Sequence, residues 1–378
     1  MVVSANDAPM AELTTSNFTF STIGLADNQW AVDILDQTRL PHEHVVRRLE
    51  TLGDVAEAIS AMRVRGAPLI GATAAYGMAL AMHEDCGDES LGKAASALIA
   101  TRPTAINLAW AVNEMLCVLQ PTGVHARRSA AYARAAEIAA EDIGINRSIG
   151  EHGIPLLEEI ARNKTAGSSV NVLTHCNAGA LATVGWGTAT APVYMAHEKG
   201  LDIHVWVDET RPRNQGASLT AWELDQRGVP YTVIADNTGG HLMQQGDVDI
   251  CITGTDRTAA NGDVANKIGT YLKALAARDN NIPFFVALPS PTIDWSIQDG
   301  MKDIPIEQRS ADEVSWVCGR TAAGAIERVC LVPDETAVAN YAFDVTPARL
   351  ITGLITERGI AEASRKGLAT LFPEHRTI

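Results

Sequence analysis

The sequence predicts an α/β protein in which a helical N-terminal domain is followed by a doubly wound parallel-sheet domain. Between residues 53 and 165, Ala-rich segments repeat apolar residues every three or four positions, as helices do. After residue 168, short apolar runs alternate with helical ones, which is the pattern of a parallel sheet covered on both faces. We expect a flexible tail over 1–19, a mainly helical domain with short strands at its start over 20–140, and the sheet domain over 141–378.

The composition narrows the possible functions. The chain has 378 residues, which is longer than a domain with a single hydrophobic core usually is, so two domains are expected. Its formal net charge at pH 7 is −15. This charge argues against a nucleic-acid surface, which needs a basic patch, but a few local Arg and Lys residues can still hold an anionic small molecule. No apolar run approaches the roughly 18 residues of a membrane span. We therefore expect neither nucleic acid nor a membrane as a partner.

The cysteines and the first residues favour a cytoplasmic location. The six cysteines show no CxxC pair and no metal-finger spacing, so we predict free thiols in a reducing compartment. The first segment, "MVVSANDAPM", is polar and has neither the apolar core nor the basic start of a signal peptide.

Polar residues follow several predicted strands, at the edge where ligands of a parallel sheet bind. Cys176 lies in "LTHCNAGA" and Asp256 in "CITGTDR". Cys176 is either a small buried packing residue or a reactive thiol, and the small residues after it favour the second interpretation because they let backbone approach a ligand. Asp256 either caps the next turn or acts as a general acid or base.

Three basic segments are candidate anion contacts. Arg65-Gly66-Ala67 leads into an apolar helix with Pro68 at its start, and free N–H groups at a helix start attract anions. Arg102 is followed by Pro and by a Thr that can cap a helix. Lys267 ends a predicted loop before the helix "IGTYLKALAAR", where Asn266 is either a helix N-cap or a ligand contact.

Signatures of common cofactors and metals are missing from the sequence. It has no GxGxxG after a strand and no GxxxxGK[ST], so neither a dinucleotide site nor a nucleoside triphosphate site is predicted. It has no HExxH, and the run His42-Glu43-His44 has no third ligand nearby, so we interpret that run as solvated surface. We expect no metal and no cofactor.

Several longer segments together resemble the methylthioribose-1-phosphate isomerases. They occur in the order of the family between about residues 20 and 370, and they read "VRGAPLIG", "TRPTAINLAWA", "LTHCNAGALAT", "DETRPRNQGASLTAWEL", "GTDRTAANGDVANKIGTY" and "NYAFDVTPARLITGLITERG". The same superfamily contains the α, β and δ regulatory subunits of the translation factor exchange complex.

The resemblance implies an aldose–ketose isomerase of methionine salvage that converts 5-methylthioribose 1-phosphate to 5-methylthioribulose 1-phosphate. It also implies a Rossmann-like C-terminal domain, a homodimer, and no cofactor. By motif, Cys176 and Asp256 are the catalytic residues. The substrate contacts implied by motif are Arg65, Gly66, Ala67, Arg102, Gln215, Asn266 and Lys267.

The implied chemistry needs an acid and a second group. Because C1 carries phosphate, the ring oxygen must be protonated as the ring opens, and hydrogen must then move between C2 and C1. Asp256, if protonated, supplies the first proton. Cys176 either takes the C2 proton through an enolate-type intermediate or assists a hydride shift, and both routes stay open.

Departures from the family pattern leave some alternatives. The chain has "GTDR" where "GADR" is usual, Ser218 where Arg is common, and Tyr341 where Pro is usual. These changes affect loops, so the group at C5 of the sugar is open, and 5-deoxyribose 1-phosphate and ribose 1,5-bisphosphate are alternative substrates. A non-catalytic regulatory subunit is the second hypothesis, but it need not keep both Cys176 and Asp256. A nicotinamide-dependent oxidoreductase would need the glycine fingerprint.

Overall fold

The computed structural model describes residues 22–165 and 167–376, so the tail predicted at 1–19 lies outside the described residues. The N-terminal part begins with three short strands, as predicted, which form an antiparallel sheet in the order β1-β2-β3. Its elements are β1 (Ile23–Leu25), β2 (Val32–Leu35), β3 (Val46–Leu49), α1 (Leu52–Ser60), α2 (Ala67–Glu84), α3 (Asp88–Thr101), α4 (Ile106–Leu119) and α5 (Val124–Asn163).

Helix α2 is the centre of the N-terminal part. It is apolar around its whole circumference, and such a helix is stable only when other elements cover every face. Small residues permit close contact: Gly77 packs against Val55 of α1 and Leu98 of α3, with no room for a Cβ atom. The Ala-rich sequence therefore produces a bundle around α2.

Helix α5 runs continuously through the predicted domain boundary. Its first half, up to Ala139, packs into the core around α2. Its second half, from Ile149, packs into the core of the following sheet. The division that we predicted at 140/141 falls between these two residues, inside the helix, and we keep it as a proposal.

Asp142, on α5 between the two cores, gives a pH prediction. Burial raises its pKa to about 7, although the Val184 N–H donates to Oδ2 (2.7 Å). The unfolded chain loses this proton near the ordinary pKa of 3.8, so the folded state binds more protons between about pH 4 and 7. Stability should therefore fall as pH rises through that window, by on the order of 4 kcal/mol, and level off above it. Urea unfolding at pH 5 and pH 8 should show a smaller difference for Asp142→Asn; an identical difference would contradict this account.

The C-terminal part contains the remaining strands and helices of the described chain. They are β4 (Val170–Thr174), α6 (Ala191–Glu198), β5 (Ile203–Asp208), α7 (Ala221–Gln226), β6 (Tyr231–Ile234), α8 (Thr238–Gln245), β7 (Ile250–Thr253), β8 (Arg257–Ala259), β9 (Val264–Lys267), α9 (Thr270–Asp279), β10 (Phe284–Ala287), β11 (Ile293–Asp294), α10 (Gly300–Asp303), α11 (Asp312–Ser315), β12 (Trp316–Arg320), β13 (Ile326–Cys330), β14 (Phe343–Thr346), β15 (Gly353–Thr356), β16 (Gly359–Ala361) and α12 (Arg365–Leu371).

The main sheet confirms the doubly wound prediction. Its order is β16-β15-β10-β7-β4-β5-β6, and every neighbouring pair is parallel except β15 with β16. The first strand of this sheet, β4, lies between β5 and β7, so the order reverses at β4, and ligands of such sheets bind at this point. Strands β7 and β10 are buried at every position, as expected where helices cover both faces. The sequence pattern predicted four or five strands, and the sheet has seven.

A second, four-stranded sheet corrects one sequence prediction. Its order is β11-β8-β9-β14. The segment that we predicted as a loop before α9 contains β9, and Asn266 is not the N-cap because α9 starts at Thr270. Asn266 instead pairs with Asp344 of β14, a partner far along the chain. Strands β12 and β13 form a separate antiparallel hairpin. None of the helices in the described ranges is long and apolar enough to cross a bilayer.

Candidate active site

The two predicted catalytic residues follow adjacent strands of the main sheet. Cys176 comes two residues after β4 ends, and Asp256 three residues after β7 ends. Strands β4 and β7 are parallel neighbours, so their carboxyl ends lie at the same edge of the sheet. This edge is the reversal point of the strand order, where a ligand is expected.

The backbone holds the Cys176 thiol in one orientation. Cys176 is 5% exposed and has a φ of +67°, an uncommon value for a residue with a side chain. Its N–H donates to Thr210 Oγ1 (2.9 Å), and its carbonyl accepts from Thr220 Oγ1 (2.8 Å). The thiol lies 3.6 Å from Gln215 Oε1. Such strained conformations persist where surrounding contacts enforce them, and they concentrate at functional sites.

The charges of three predicted site residues act on the Cys176 thiol. Burial raises the pKa of the thiol, and the charges of Arg65 and Lys267 oppose this shift, while that of Asp256 adds to it. These three side chains are therefore near enough to act on the thiol. Because the net direction is upward, Cys176 carries its proton at neutral pH in the ligand-free protein.

Lys267 is a buried cation that has no counter-ion among the described residues. It is 4% exposed and its Nζ lies 4.7 Å from the centre of the Phe343 ring. Within residues 22–165 and 167–376, the structure gives its ammonium group neither a hydrogen bond nor an ion pair. Burial lowers the pKa of Lys267, an effect that the charge of Asp256 opposes. An unpaired buried charge costs several kcal/mol, which an anionic ligand would offset.

The carboxyl group of Asp256 is also free for a ligand. The backbone N–H of Asp256 donates to the Ala265 carbonyl (2.9 Å), which fixes the residue against β9. The described part of the chain gives its half-buried carboxyl group no hydrogen bond and no ion pair. A carboxyl group of this kind can transfer a proton to a bound molecule.

Arg65 has a structural partner that the sequence did not reveal. Its Nη2 donates to the Asn177 carbonyl (2.7 Å), and its Nη1 donates to Asn177 Oδ1. The Asn177 amide donates in turn to the Glu223 carboxylate, and burial raises the pKa of Glu223. Arg65 thus fixes the residue after Cys176. The neighbouring Gly66 has a φ of +97°, and a Cβ there would collide with the Ala182 backbone.

Arg102 lies near Lys267, since its charge helps to lower the pKa of Lys267. The Nη2 atom of Arg102 forms an ion pair with Glu307 Oε2 (3.3 Å). Its buried Nε has no hydrogen-bond partner among the described residues. Our expectation that the Thr of "TRPT" caps a helix is wrong. Thr104 instead donates to Glu307 Oε2 (3.3 Å), and α4 begins at Ile106.

A cavity of about 600 Å³ is lined by residues that include Arg65 and Gln215, while Cys176, Asp256 and Lys267 are not among its lining residues. This volume lies within the range of small-molecule sites. The hairpin β12–β13 supplies one wall through Trp316 and Val317. No local sequence pattern shows which surface a hairpin covers, so the position of this hairpin beside the cavity could not be predicted.

Three residues that could bind a metal ion lie close together, but the ammonium group of a lysine already contacts two of them. They are His175, Asp208 and Asp236. The ammonium group of Lys273 lies 3.1 Å from Asp208 Oδ2 and donates to the Asp236 carbonyl. Because Lys273 supplies the positive charge there, we interpret the group as an ion-pair network.

Comparisons with known proteins show which family the chain belongs to. The family model described as "Initiation factor 2 subunit family" matches residues 63–363. A protein of Rhodospirillum rubrum named methylthioribose-1-phosphate isomerase is 64% identical over 357 residues, which are 93% of this chain and 92% of that protein. The crystal structure of 5-methylthioribose 1-phosphate isomerase from Pyrococcus horikoshii OT3 is 40% identical with a TM-score of 0.80, covering 94% of this chain and 96% of that one. The structure titled translation initiation factor eIF-2B, subunit delta, from A. fulgidus is 38% identical with a TM-score of 0.77, covering 94% and 100%.

Proposed function

The chain belongs to the initiation factor 2 subunit family and, within it, to the methylthioribose-1-phosphate isomerases, and we propose that it converts 5-methylthioribose 1-phosphate to 5-methylthioribulose 1-phosphate. The reaction is an aldose–ketose isomerisation in methionine salvage. The observation that carries the proposal is the meeting of Cys176 and Asp256 at adjacent strand ends, beside the unpaired ammonium group of Lys267.

Asp256 and Cys176 divide the reaction between them in this proposal. Asp256 protonates the ring oxygen, and the bond from C1 to that oxygen breaks with its electron pair going to oxygen. Hydrogen then moves from C2 to C1, and the C2 hydroxyl returns a proton to the Asp256 carboxylate as C2 becomes a ketone. Cys176 faces this C1–C2 unit and relays the proton through an enol intermediate, or assists a hydride shift. Deuterium at C1 of product formed in D₂O would identify the enol route.

The phosphate group is bound by basic residues in this proposal. Lys267 is the main contact, because its buried ammonium group has no anionic partner in the described part of the chain. Arg102 adds a second positive charge nearby, and its buried Nε has no acceptor among the residues that the structure describes. Charge-assisted hydrogen bonds to phosphate are about twice as strong as neutral ones. The proposed contacts are completed by Arg65, Gly66, Ala67, Gln215 and Asn266.

Turnover of three sugar phosphates tests the function. The purified protein is incubated separately with 5-methylthioribose 1-phosphate, 5-deoxyribose 1-phosphate and ribose 1,5-bisphosphate, and NMR follows the loss of the C1 signal and the growth of the ketose. We expect the methylthio compound to have the highest kcat/KM. Preference for another compound would replace the substrate, and no turnover of any of the three by folded protein would reject the isomerase.

Lys267→Met is expected to raise KM about 10- to 100-fold, because a charged hydrogen bond contributes about 1.5–3 kcal/mol. Methionine keeps the apolar stem and removes the unpaired charge, so the thermal midpoint of the ligand-free variant should not fall. Steady-state kinetics and a thermal melt check both parts. Lys93→Met, on an exposed turn of α3, is the control. An unchanged KM in Lys267→Met would contradict the assignment of phosphate to this side chain.

We also propose the homodimer that the family resemblance implies and the cytoplasmic location that the cysteines and the first residues favour. All six cysteines are free thiols, which supports a reducing compartment. Sedimentation of the purified protein over a range of concentrations tests the dimer.

A further inference from the structure

We propose that His175 is a positioning residue that fixes the backbone at Cys176 relative to the backbone at Lys267 and Ile268. This inference rests on the proposed function, because it concerns the same site. The side chain of His175 is 1% exposed and lies beneath the site. It is adjacent in sequence to Cys176 but does not belong to the reacting pair.

One imidazole ring connects two segments of the site. His175 Nδ1 lies 2.8 Å from Asp208 Oδ2, at the end of β5. His175 Nε2 lies 2.8 Å from the carbonyl of Ile268, the residue after Lys267. The ring therefore connects the backbone that carries the thiol with the backbone that carries the ammonium group.

Both ring nitrogens face acceptors, so a doubly protonated ring satisfies both contacts. Several charged groups surround the ring. Besides Asp208, the carboxylates of Asp236 (3.9 Å from Nδ1) and of Asp344 on β14 face the ring, while Lys273 on α9 is the nearby cation. A charged imidazole between a carboxylate and a carbonyl makes stronger hydrogen bonds than a neutral one.

The neighbouring backbone is shaped to accept this ring. Gly269 has a φ of +104°, and a Cβ built on it would lie 3.0 Å from His175 Cε1. Residue 269 follows the carbonyl that accepts from the ring, so a larger side chain would push the two segments apart. Asp208, which binds Nδ1, is also linked to the backbone of Cys176. The Asp208 carbonyl accepts from Thr210 Oγ1 (2.9 Å), and this hydroxyl oxygen accepts from the Cys176 N–H.

The two hydrogen bonds can be removed one at a time. In His175→Asn, the amide nitrogen takes the place of Nδ1, so the contact with Asp208 remains and the one with Ile268 is lost. In His175→Gln, the amide nitrogen reaches the place of Nε2, so the contact with Ile268 remains and the one with Asp208 is lost. His204→Asn, on a half-buried histidine of β5 outside the site, is the matched control.

Three quantities are measured for each variant: kcat and KM for 5-methylthioribose 1-phosphate, and the Kd of inorganic phosphate by calorimetry. Misplacement by about 1 Å can cost 10²-fold in rate, so we expect kcat to fall at least 10-fold in both variants. We expect KM and the phosphate Kd to rise about 10-fold in His175→Asn, which frees the Lys267 segment, and to stay within about 2-fold in His175→Gln.

The proposal is overturned if both variants keep all three values within 2-fold of wild type, or if both lose activity only in proportion to their unfolded fraction. Should neither variant fold, Asp208→Asn keeps the volume and an acceptor, and wild-type kcat in that variant would overturn the proposal. If the wild type does not isomerise the substrate but the phosphate Kd follows the expected pattern, the proposed function fails while the role of His175 is supported.

Discussion

Cys176→Ser is expected to lower kcat by about 10²–10⁴-fold, the usual contribution of a positioned proton-transfer group. Serine is smaller and its hydroxyl is a much weaker acid than a thiol, so it replaces neither the proton relay nor the contact with Gln215 Oε1. The local backbone should survive, because the Thr210 and Thr220 hydroxyls bind the main chain of residue 176 and not its side chain. KM should therefore change much less than kcat.

Cys117→Ser is the control for this experiment. Cys117 is an exposed free thiol on α4, so its variant should keep wild-type kcat. Circular dichroism spectra of both variants should match that of the wild type. If the Cys176 variant turned over substrate at a rate within 3-fold of wild type, the thiol would be a packing residue and not part of the mechanism.

Asp256→Asn is expected to have an effect of the same size, about 10²–10⁴-fold in kcat. The amide keeps the shape of the side chain but cannot give its proton to the ring oxygen. Because the Asp256 carboxyl group is without a hydrogen bond or ion pair in the described structure, this substitution should leave the folded protein almost unchanged in stability.

Asp279→Asn, at the exposed end of α9, is the matched control for this charge change. Burst and steady-state rates at pH 7 should separate the two variants, with only Asp256→Asn slowed. An Asp256 variant with a raised KM and an unchanged kcat would place this carboxyl group in binding and would leave the proton donor to another residue.

The strand ends of the main sheet could be predicted because their signal is local. Short apolar runs marked β4, β5 and β7, and parallel strands place their carboxyl ends at one edge. That reasoning made Cys176 and Asp256 candidate site residues, and the motif resemblance added Gln215 and Asn266 as candidate substrate contacts. Cys176 and Asp256 lie after strand ends of the main sheet, as predicted, while the roles of all four residues in the reaction stay predictions.

Contacts between distant segments could not be predicted in this way. The segment of Asn266 and Lys267 is a strand because it pairs with Asp344 and Phe343, and nothing in its own sequence shows that partner. The Thr104 hydroxyl does not cap a helix but donates to the carboxylate of Glu307, about 200 residues away in the sequence. His175 was noted only as a neighbour of the thiol, since its role depends on three segments meeting around one ring.

The central claim is that Asp256 and Cys176 act in two successive steps, ring opening and hydrogen transfer, on one bound substrate. The most direct test is kcat of the double variant Cys176→Ser/Asp256→Asn, compared with both single variants on 5-methylthioribose 1-phosphate. For successive steps the slower one sets the rate, so the double variant should be about as slow as the slower single variant. A loss equal to the product of the two single losses would contradict the claim, because the two groups would then act independently in one step.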